Sequence, residues 1–312
     1  MKISKITKLV NGNYSGKDNI DITNISSSNH PKPNSIIWVS NNKNIVNIPD
    51  SDDIVILGSS DIEAHGKNFL AVENSRLAFA LITRIFKKEL NFFKNYPASK
   101  DSSITYGKDC LFGKNVTIES NVSIGKNVFL GHNVVLHEGV VIGNNVVIES
   151  GTIVGSEGFG NVLTPNNEWE HISHLGSVKI KDNVRIGSNC SIDRGTIDDT
   201  IISKGVIIDN LVHIAHNVFI GENTAIAAKV GIAGSCIIGK RNMIGGMVGI
   251  VNHIVTADDV VISATSTVNK SILEPGTYSG IMPITKHILW KRIAFWITKL
   301  DKISKLLNLR KI

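Results

Sequence analysis

The chain of 312 residues is poor in cysteine and in aromatic residues, and it contains no long hydrophobic run. Only three cysteines are present, and aromatic residues make up 6% of the sequence. Nothing in this cysteine usage indicates disulfides or secretion. The sequence has no signal-peptide pattern and no apolar stretch long enough to span a membrane. We therefore expect a cytoplasmic protein.

In place of these features the sequence has a period of six. Aliphatic or aromatic residues occupy every sixth position from 112 to 154 and again from 202 to 268, except that position 256 is the polar Thr256. Glycine often follows the aliphatic residue, as in Ile124–Gly125 and Ile220–Gly221. A period of six is neither the 2 of a strand nor the 3.6 of a helix. It is typical of a parallel β-solenoid.

Each hexapeptide should form one short strand and one turn, and three should close a coil of about 18 residues. The first residue of each repeat and the fourth residue after it should point inward. Coils stack about 4.8 Å apart, so residues 18 apart in sequence lie one coil apart. The predicted fold class is mainly β: a left-handed parallel β-helix with a small N-terminal α/β domain and C-terminal α-helices.

The three cysteines fit this repeat. Cys110, Cys190 and Cys236 each follow an expected inward position by four residues, which is the small inward position of the repeat. We therefore expect buried core thiols and not metal ligands or redox groups.

Three domains are predicted along the chain. Residues 1–98 lack the repeat, and they contain a predicted strand at Asp53–Gly58 and a predicted helix from Ser75, as N-cap, to Leu90. Residues 99–282 form the β-helix, with an inserted loop at about 155–177 where the repeat disappears. Residues 283–312 have helical spacing of apolar residues. A linker is expected at Pro97–Ser99.

Positive charge is concentrated at the C-terminus. Residues 283–312 contain eight Lys or Arg against one Asp, whereas the rest of the chain has 25 basic and 26 acidic residues. A solvated helix face, an acidic protein partner and an anionic membrane surface are all compatible with this segment. We expect no nucleic-acid partner, because the sequence has neither the motifs of known base-recognising domains nor aromatic residues spaced among the basic ones.

Two histidines and a glycine share one edge of the predicted prism. Gly234 lies 18 residues after His216, and His253 lies 37 residues after it, so the three residues span roughly 10 Å. This arrangement suits acyl transfer from a thioester to an amine. An imidazole can remove the amine proton, and a glycine N–H can bind the oxyanion. A solvated turn residue is the alternative interpretation of each histidine.

Several motifs resemble those of the bacterial UDP-3-O-acylglucosamine N-acyltransferases of lipid A synthesis. The order of segments along the chain is similar too. The motifs are Gly155-Ser156-Glu157-Gly158-Phe159-Gly160, Ile192-Asp193-Arg194-Gly195, Asp198-Asp199-Thr200, Asp209-Asn210, Ile214-Ala215-His216-Asn217 and Ile244-Gly245-Gly246.

This resemblance implies a general base at His216, an oxyanion donor at Gly234 and a second active-site histidine at His253. It implies an acyl-chain groove closed near Thr267. Substrate-binding roles are implied for Trp38, Asn41, Asp209, Asn210, Asn217 and Lys270. Within this set, Trp38-Val39-Ser40-Asn41 matches the segment that holds the uridine nucleotide.

Three positions depart from the family pattern. Asn44 stands where the family often has a second aromatic residue that stacks on the uracil. Thr267 falls where some members have a large residue that closes the acyl groove. Lys270 stands where a basic residue is expected, but as Lys it cannot make the bidentate contacts of Arg.

The resemblance also implies the reaction and its partners. A 3-hydroxyacyl chain would pass from acyl carrier protein to the 2-amino group of UDP-3-O-(3-hydroxyacyl)glucosamine. The enzyme would be a homotrimer with at most peripheral membrane contact. No resident cofactor and no metal are expected, since 4′-phosphopantetheine arrives on the carrier protein.

Other functions stay open on the same fold. The chain could be another hexapeptide acyltransferase, such as a UDP-GlcNAc O-acyltransferase or an acetyl-CoA-dependent aminosugar N-acetyltransferase. A zinc hydratase resembling the γ-class carbonic anhydrases would use His132 and His137, but Tyr96 occupies the place of its third ligand. A catalytically silent paralogue is the remaining alternative.

Overall fold

The chain divides into two units, Met1–Asn91 and Phe92–Ile312. The structure, a computed structural model, describes residues 1–28, 30–42, 45–46, 48–86, 103–280 and 284–306. The expected domain boundary at 98 and the linker Pro97–Ser99 lie outside these residues, as does Asn44. The three predicted domain limits therefore stay predictions.

The first unit is a five-stranded sheet with two helices. The strand order is β1-β5-β4-β3-β2, in which β1 is antiparallel to β5 and the other neighbours are parallel. The elements are α1 (Ile3–Leu9), β1 (Asn13–Ser15), β2 (Asn24–Ile25), β3 (Ser35–Trp38), β4 (Ile54–Ser59), β5 (Phe69–Val72) and α2 (Ser75–Phe86).

The predicted strand in this unit is confirmed as the buried strand β4. Val55 and Leu57 pack in one apolar cluster with residues of α1 and α2, whereas Ile54 and Ile56 belong to a second cluster. Alternate residues of a strand face opposite sides of the sheet, so both faces of this sheet are covered.

Helix α2 begins where predicted, but its expected N-cap is wrong. Asn74 caps the helix, because its Oδ1 accepts the Leu77 N–H at 2.9 Å. The Ser75 hydroxyl instead accepts a hydrogen bond from Trp38 Nε1 at 3.1 Å. The helix is described to Phe86, and residues 87–90 of the prediction lie outside the described residues.

The second unit contains a parallel β-solenoid with three sheets. One sheet contains β7 (Leu111–Phe112), β10 (Phe129–Leu130), β13 (Val147–Ile148), β18 (Arg185–Ile186), β21 (Ile207–Ile208), β24 (Ala225–Ile226), β27 (Met243–Ile244), β29 (Val260–Ile262) and β31 (Gly276–Tyr278). A second contains β8 (Thr117–Ile118), β11 (Val135–Leu136), β14 (Ile153–Ser156), β19 (Ser191–Asp193), β22 (His213–Ile214), β25 (Gly231–Ile232), β28 (Gly249–Ile250) and β30 (Thr267–Val268). The third contains β6 (Thr105–Tyr106), β9 (Ser123–Ile124), β12 (Val141–Ile142), β17 (Val178–Ile180), β20 (Thr200–Ile202), β23 (Phe219–Ile220) and β26 (Ile237–Ile238).

Strand pairing confirms the predicted fold class and the 18-residue coil. Phe129 pairs with Val147, 18 residues later. The separation grows to 38 residues between Val141 and Lys179, across the predicted loop. It is 22 residues between Ser191 and His213, across a slip of four residues.

The coil interior is filled by the two inward positions of each repeat. Val and Ile dominate this continuous core, and all three cysteines are buried in it, as predicted. Thr256 is also buried, and its hydroxyl accepts the Gly239 N–H at 2.9 Å and the Asn242 Nδ2–H at 2.6 Å. Thr256, the polar exception in the repeat, is therefore part of a buried network in which its hydroxyl is hydrogen-bonded.

Asparagine supports the corners of the coil. Asn115, Asn133, Asn145 and Asn183 all have φ between 56° and 59°, the left-handed region in which asparagine is enriched. Their side chains also connect coils, for example from Asn115 Nδ2 to Asn133 Oδ1 at 3.2 Å. This explains why asparagine recurs at the turn of the repeat.

The predicted loop contains a two-stranded antiparallel hairpin, β15 (Asn161–Leu163) and β16 (Trp169–His171). Phe159 and Trp169 in this segment are 84% and 69% exposed. The solenoid surface therefore carries a short projecting element with uncovered aromatic side chains.

Two helices lie near the C-terminus, α3 (His287–Ile297) and α4 (Leu300–Leu306). The apolar residues Ile288, Trp296 and Leu300 in this segment of predicted helical spacing are exposed, and Leu307 lies outside the described residues. Among the helices described here, none has both the length and the apolar character required to cross a bilayer.

Candidate active site

A groove of about 640 Å³ runs along one edge of the solenoid and brings together four predicted site residues. These residues are His216, Gly234, His253 and Thr267, and the projecting Phe159 lines the groove with them. The groove lies beside the sheet that contains β22, β25, β28 and β30. The predicted coil register therefore corresponds to a shared cavity.

Strand pairing explains this convergence. His213 pairs with Gly231, Gly231 with Gly249, and Gly249 with Thr267, so these four residues form a column along the outer face. His216 follows the strand of the first pair by two residues, and Gly234 and His253 follow the next strands at similar positions. The stretch from 202 to 268 contains no insertion, so sequence spacing translates directly into height.

The His216 imidazole is fixed by its neighbour Asn217. Asn217 Oδ1 accepts the Thr196 N–H at 2.9 Å, while its Nδ2 donates to the Asp198 carbonyl at 2.8 Å. These bonds define the amide orientation, so the oxygen faces His216 Nδ1 at 3.1 Å. His216 Nδ1 must then carry the proton, which leaves Nε2 as the lone-pair nitrogen.

Gly234 lies directly beside this ring. A Cβ at position 234 would come within 2.5 Å of His216 Cε1 and 2.6 Å of Nε2, so only glycine fits beneath the imidazole. Its carbonyl accepts the His253 N–H at 3.0 Å. The Gly234 N–H itself has no hydrogen-bond partner within the described part of the chain. Gly234 is buried but lines the groove.

The imidazole is covered from the other side by the inserted segment. A Cβ at Gly158 would lie 3.1 Å from His216 Cβ and Cδ2. The His174 ring meets the His216 ring edge-on, with centroids 5.3 Å apart. These contacts leave His216 half-buried instead of fully solvated.

Asp193 is a buried acid near the groove that the sequence reasoning did not single out as a site residue. Its side chain is 7% exposed, and Oδ1 accepts the Ser156 hydroxyl at 3.1 Å. Oδ2 lies 3.6 Å from His213 Nε2. Burial raises the pKa of the Asp193 carboxyl, although the charges of His213 and His216 oppose that shift.

A second unpredicted cluster lies at the base of the hairpin. His171 Nε2 is 2.5 Å from Glu157 Oε2, and the other Glu157 oxygen accepts the His174 N–H at 3.4 Å. The hydrogen bond from His171 lowers the pKa of Glu157, so this carboxylate is held ionised. Each of the three residues has a side-chain atom capable of binding metal within 4.8 Å of the other two.

Other predicted substrate-binding residues lie elsewhere in this chain. Asp209 and Asn210 follow β21 at a different corner, where Asn210 Oδ1 accepts the Ser188 N–H at 2.7 Å. Lys270 is exposed and lines a second cavity of about 500 Å³ at the last coils, which shares Thr267 with the groove. None of these three residues is among those that line the groove.

Trp38 belongs to a pocket of about 430 Å³ in the first unit. Its ring stacks on Phe79, with centroids 5.4 Å apart and planes at 20°. Ser26, Ser27 and Ser40 also line this pocket. Asn41 is exposed and not among the lining residues, and Asn44 lies outside the described residues.

The histidines of the zinc-hydratase alternative are turn residues with protein partners. His132 Nδ1 accepts the Lys114 N–H at 2.7 Å, and His137 Nδ1 lies 3.1 Å from Glu119 Oε1. Position 96 lies outside the described residues.

The fold and the groove define a hexapeptide-repeat protein. A family model described as "Bacterial transferase hexapeptide (six repeats)" matches residues 107–138 and 121–156. The solved structure of the Francisella novicida UDP-N-acetylglucosamine acyltransferase superposes with a TM-score of 0.52, covering 66% of this chain and 75% of that one. Its identity of 22% establishes likeness of fold alone.

Within that class, the sequence similarity is to UDP-3-O-acylglucosamine N-acyltransferases. The protein of that name from Bordetella avium is 44% identical over 155 residues, and that from Hahella chejuensis 43% over 153 residues. Each match covers 49% of this chain and 43% of the relative, so less than half of the relative's length is matched. The resemblance drawn from the motifs is confirmed, and the relatives' name supports the expected acyltransferase class.

Proposed function

We propose that this chain is an N-acyltransferase that moves a 3-hydroxyacyl chain from acyl carrier protein to the 2-amino group of UDP-3-O-(3-hydroxyacyl)glucosamine. The observation that carries this proposal is the position of Gly234, whose N–H has no partner among the described residues, beside the His216 ring, whose Nε2 is the unprotonated nitrogen in the tautomer that Asn217 favours. The naming of the curated relatives as UDP-3-O-acylglucosamine N-acyltransferases supports the substrate.

In the proposed reaction His216 Nε2 accepts the proton of the attacking amine. The nitrogen forms a bond to the thioester carbonyl carbon, and the carbonyl oxygen becomes an oxyanion. The Gly234 N–H is close enough to the ring to bind that oxyanion. When the C–S bond breaks, the imidazolium returns its proton to the leaving thiolate, which departs as the carrier-protein thiol.

Asn217 makes the imidazole ready for this role. Its Oδ1 holds Nδ1–H of His216, so the protonated nitrogen cannot turn toward the amine. Hydrogen bonds to Thr196 and Asp198 in turn hold the Asn217 amide. We propose that Asn217 is a positioning residue; the substrate-binding role expected from the resemblance stays a prediction.

His253 is proposed to bind or orient the sugar acceptor. It follows β28 one coil above Gly234 and lines the same groove. The spacing of stacked coils puts it within about 10 Å of His216 along the edge, the span of a sugar with its substituents.

The outer face above His213 offers a floor for an acyl chain. A Cβ added at Gly231 or Gly249 would meet no atom within 4 Å, so the two glycines leave an open strip between His213 and Thr267. Thr267 is at the far end of this strip. We propose that it limits acyl length, and Thr267→Met should shift preference toward shorter donors by about 15-fold for two carbons.

The pocket of Trp38 is the proposed uridine site. The Trp38 ring already stacks on Phe79, and the surrounding serine hydroxyls offer hydrogen bonds to a base or ribose. This proposal adds Phe79 to the expected segment from Trp38 to Asn41.

A homotrimer is proposed as the active form. Asp209 and Asn210 lie at a different corner from the groove of their own chain, so a role at the substrate requires an edge from another copy. Sedimentation of a fully active monomer would contradict this assembly.

Acyl carrier protein is the proposed donor partner, and the cytoplasmic location stays a prediction. Helices α3 and α4 carry Lys291, Arg292, Lys302 and Lys305 beside exposed apolar residues, and Lys299 lies in the turn between them. An acidic carrier would be attracted to this surface, and the attraction should weaken with salt. Michaelis constants for the carrier donor that do not change with ionic strength would contradict this role for the helices.

The experiment that tests the function follows thiol release from 3-hydroxyacyl carrier protein with the UDP-linked 3-O-acylated amino sugar as acceptor. We expect amide formation by the native chain and a loss of about 10²- to 10⁴-fold in turnover in His216→Ala. His132→Gln, on a different corner, is the matched control and should retain activity. Acylation of UDP-GlcNAc at a hydroxyl, or use of acetyl-CoA, would reject the proposal in favour of another acyltransferase.

A further inference from the structure

The cluster at the base of the hairpin is built from three elements of the inserted segment. Glu157 follows β14, His171 ends β16, and His174 lies three residues beyond it. Each residue offers one ligand atom within 4.8 Å of the other two. The fold therefore brings the two histidines of a His-x-x-His motif together with Glu157, which lies 14 residues before His171, in one group of three side chains capable of binding metal.

His174 lacks partners that a buried imidazole needs. It is 2% exposed, yet neither ring nitrogen has a hydrogen-bond partner in the part of the chain that the structure describes. A buried polar group without a partner costs free energy, so an occupant of this position is expected. The hydrogen bond between His171 and Glu157 does not supply that partner.

The surroundings leave room for the His174 ring. A Cβ at Gly160 would lie 2.6 Å from His174 Cε1, so the glycine is required by the packing of the imidazole. The His171 and His174 rings lie 6.1 Å apart between centroids, with planes at 25°. The two imidazoles are therefore close neighbours with nearly parallel planes.

The chemistry of the three groups selects the ion. Two imidazole nitrogens and one carboxylate suit zinc-like transition metals, whereas calcium and magnesium prefer oxygen ligands throughout. Tetrahedral binding at about 2.0–2.1 Å would separate neighbouring ligand atoms by roughly 3.3 Å. The 2.5 Å contact from His171 to Glu157 would then open by less than 1 Å.

We propose that Glu157, His171 and His174 form a binding site for a divalent transition-metal ion of the zinc class. The ion ties β16 and the segment after it to the end of β14, and it sets the His174 ring against His216. None of its three ligands is assigned to the proposed acyl transfer, so metal binding can be measured separately from that reaction.

The test is a titration of the chelator-treated full-length chain with Zn²⁺ alone, followed by calorimetry. We expect one ion per chain and a rise in Tm with added Zn²⁺. Glu157→Gln, His171→Gln and His174→Gln should each weaken affinity at least about 10-fold. His65→Gln is the matched control, since His65 pairs with Glu63 in the first unit and should leave affinity unchanged.

Two further measurements separate this site from other histidines. Co²⁺ in place of Zn²⁺ should give visible absorption bands that disappear in His171→Gln, an exposed position where the fold is not at risk. His216→Ala should keep the metal affinity of the native chain. Absence of saturable Zn²⁺ binding, or binding that survives His174→Gln but is lost in His216→Ala, would overturn the proposal.

Discussion

Replacement of Gly234 by alanine tests whether the position of the His216 ring controls turnover. The alanine Cβ would lie 2.5 Å from His216 Cε1, whereas ordinary contact begins at 3.4 Å. The ring must therefore move by about 1 Å, a misplacement that can reduce rate about 10²-fold. Gly158 and His174 oppose this movement from the other side. We expect kcat to fall by about that factor.

Stability should change much less than turnover. The backbone at Gly234 is not in the left-handed region, so alanine introduces no backbone strain there. Overpacking of a half-buried ring should cost at most about 1–3 kcal/mol. A denaturant titration of the variant checks that the loss of activity does not come from unfolding.

Gly246→Ala provides the matched control. The nearest atom to a Cβ at that position is the Ala228 carbonyl oxygen at 3.4 Å, an ordinary contact. Steady-state thiol release should give native kinetic constants for this variant. If Gly234→Ala also retains native kcat, the contact between glycine and imidazole does not position the base and the reasoning is refuted.

Three other outcomes are expected. Asn217→Ala should lower kcat by about 10² with little change in KM, because His216 loses the acceptor that fixes its tautomer; equal changes in both constants would indicate a binding role. Asn242→Leu should destabilise the solenoid by about 1–3 kcal/mol in urea titrations, since the buried Val260 N–H loses its acceptor, and unchanged stability would contradict that bond's importance. Asp193→Asn should stabilise the fold at pH 7, because burial raises the pKa of the Asp193 carboxyl and its ionisation therefore costs the native fold free energy. The contribution of the neutral Asp193 to native stability is fully present below the unfolded pKa of about 3.9, and it is lost as pH rises through the folded pKa. The gain should disappear near pH 3, and a loss of stability at pH 7 would show that the His213 pair outweighs burial.

The solenoid was predictable because its information is local and repeated. Each coil uses the same two inward positions, so the core follows from a count along the chain. The network of Asn242 and Thr256 was not predictable in this way, since its members lie on different turns and are polar. In the folded chain the hydroxyl of Thr256 makes hydrogen bonds where other repeats have an aliphatic contact.

The helix start shows a smaller limit of sequence reasoning. Asn74 and Ser75 are adjacent, and both residue types favour the N-cap position. Propensity cannot choose between them when either would cap the same helix. The tertiary contact of Ser75 with Trp38 decides the result, because the hydroxyl is used as an acceptor for the indole.

The residues of the candidate site fall into two groups: those in uninterrupted repeats and those in or after the inserted segment. His216, Gly234 and His253 lie in a stretch without insertions, so an 18-residue coil was sufficient to predict their convergence. Asp193 and His174 lie in or after the interruption, where register is lost and the placement of a side chain depends on how the hairpin packs. The motif around Asp193 indicated a family resemblance, but it did not indicate that this side chain lies near His213. The 18-residue spacing places side chains only where the repeats are uninterrupted. The position of a side chain in an insertion depends instead on how that insertion packs against the solenoid.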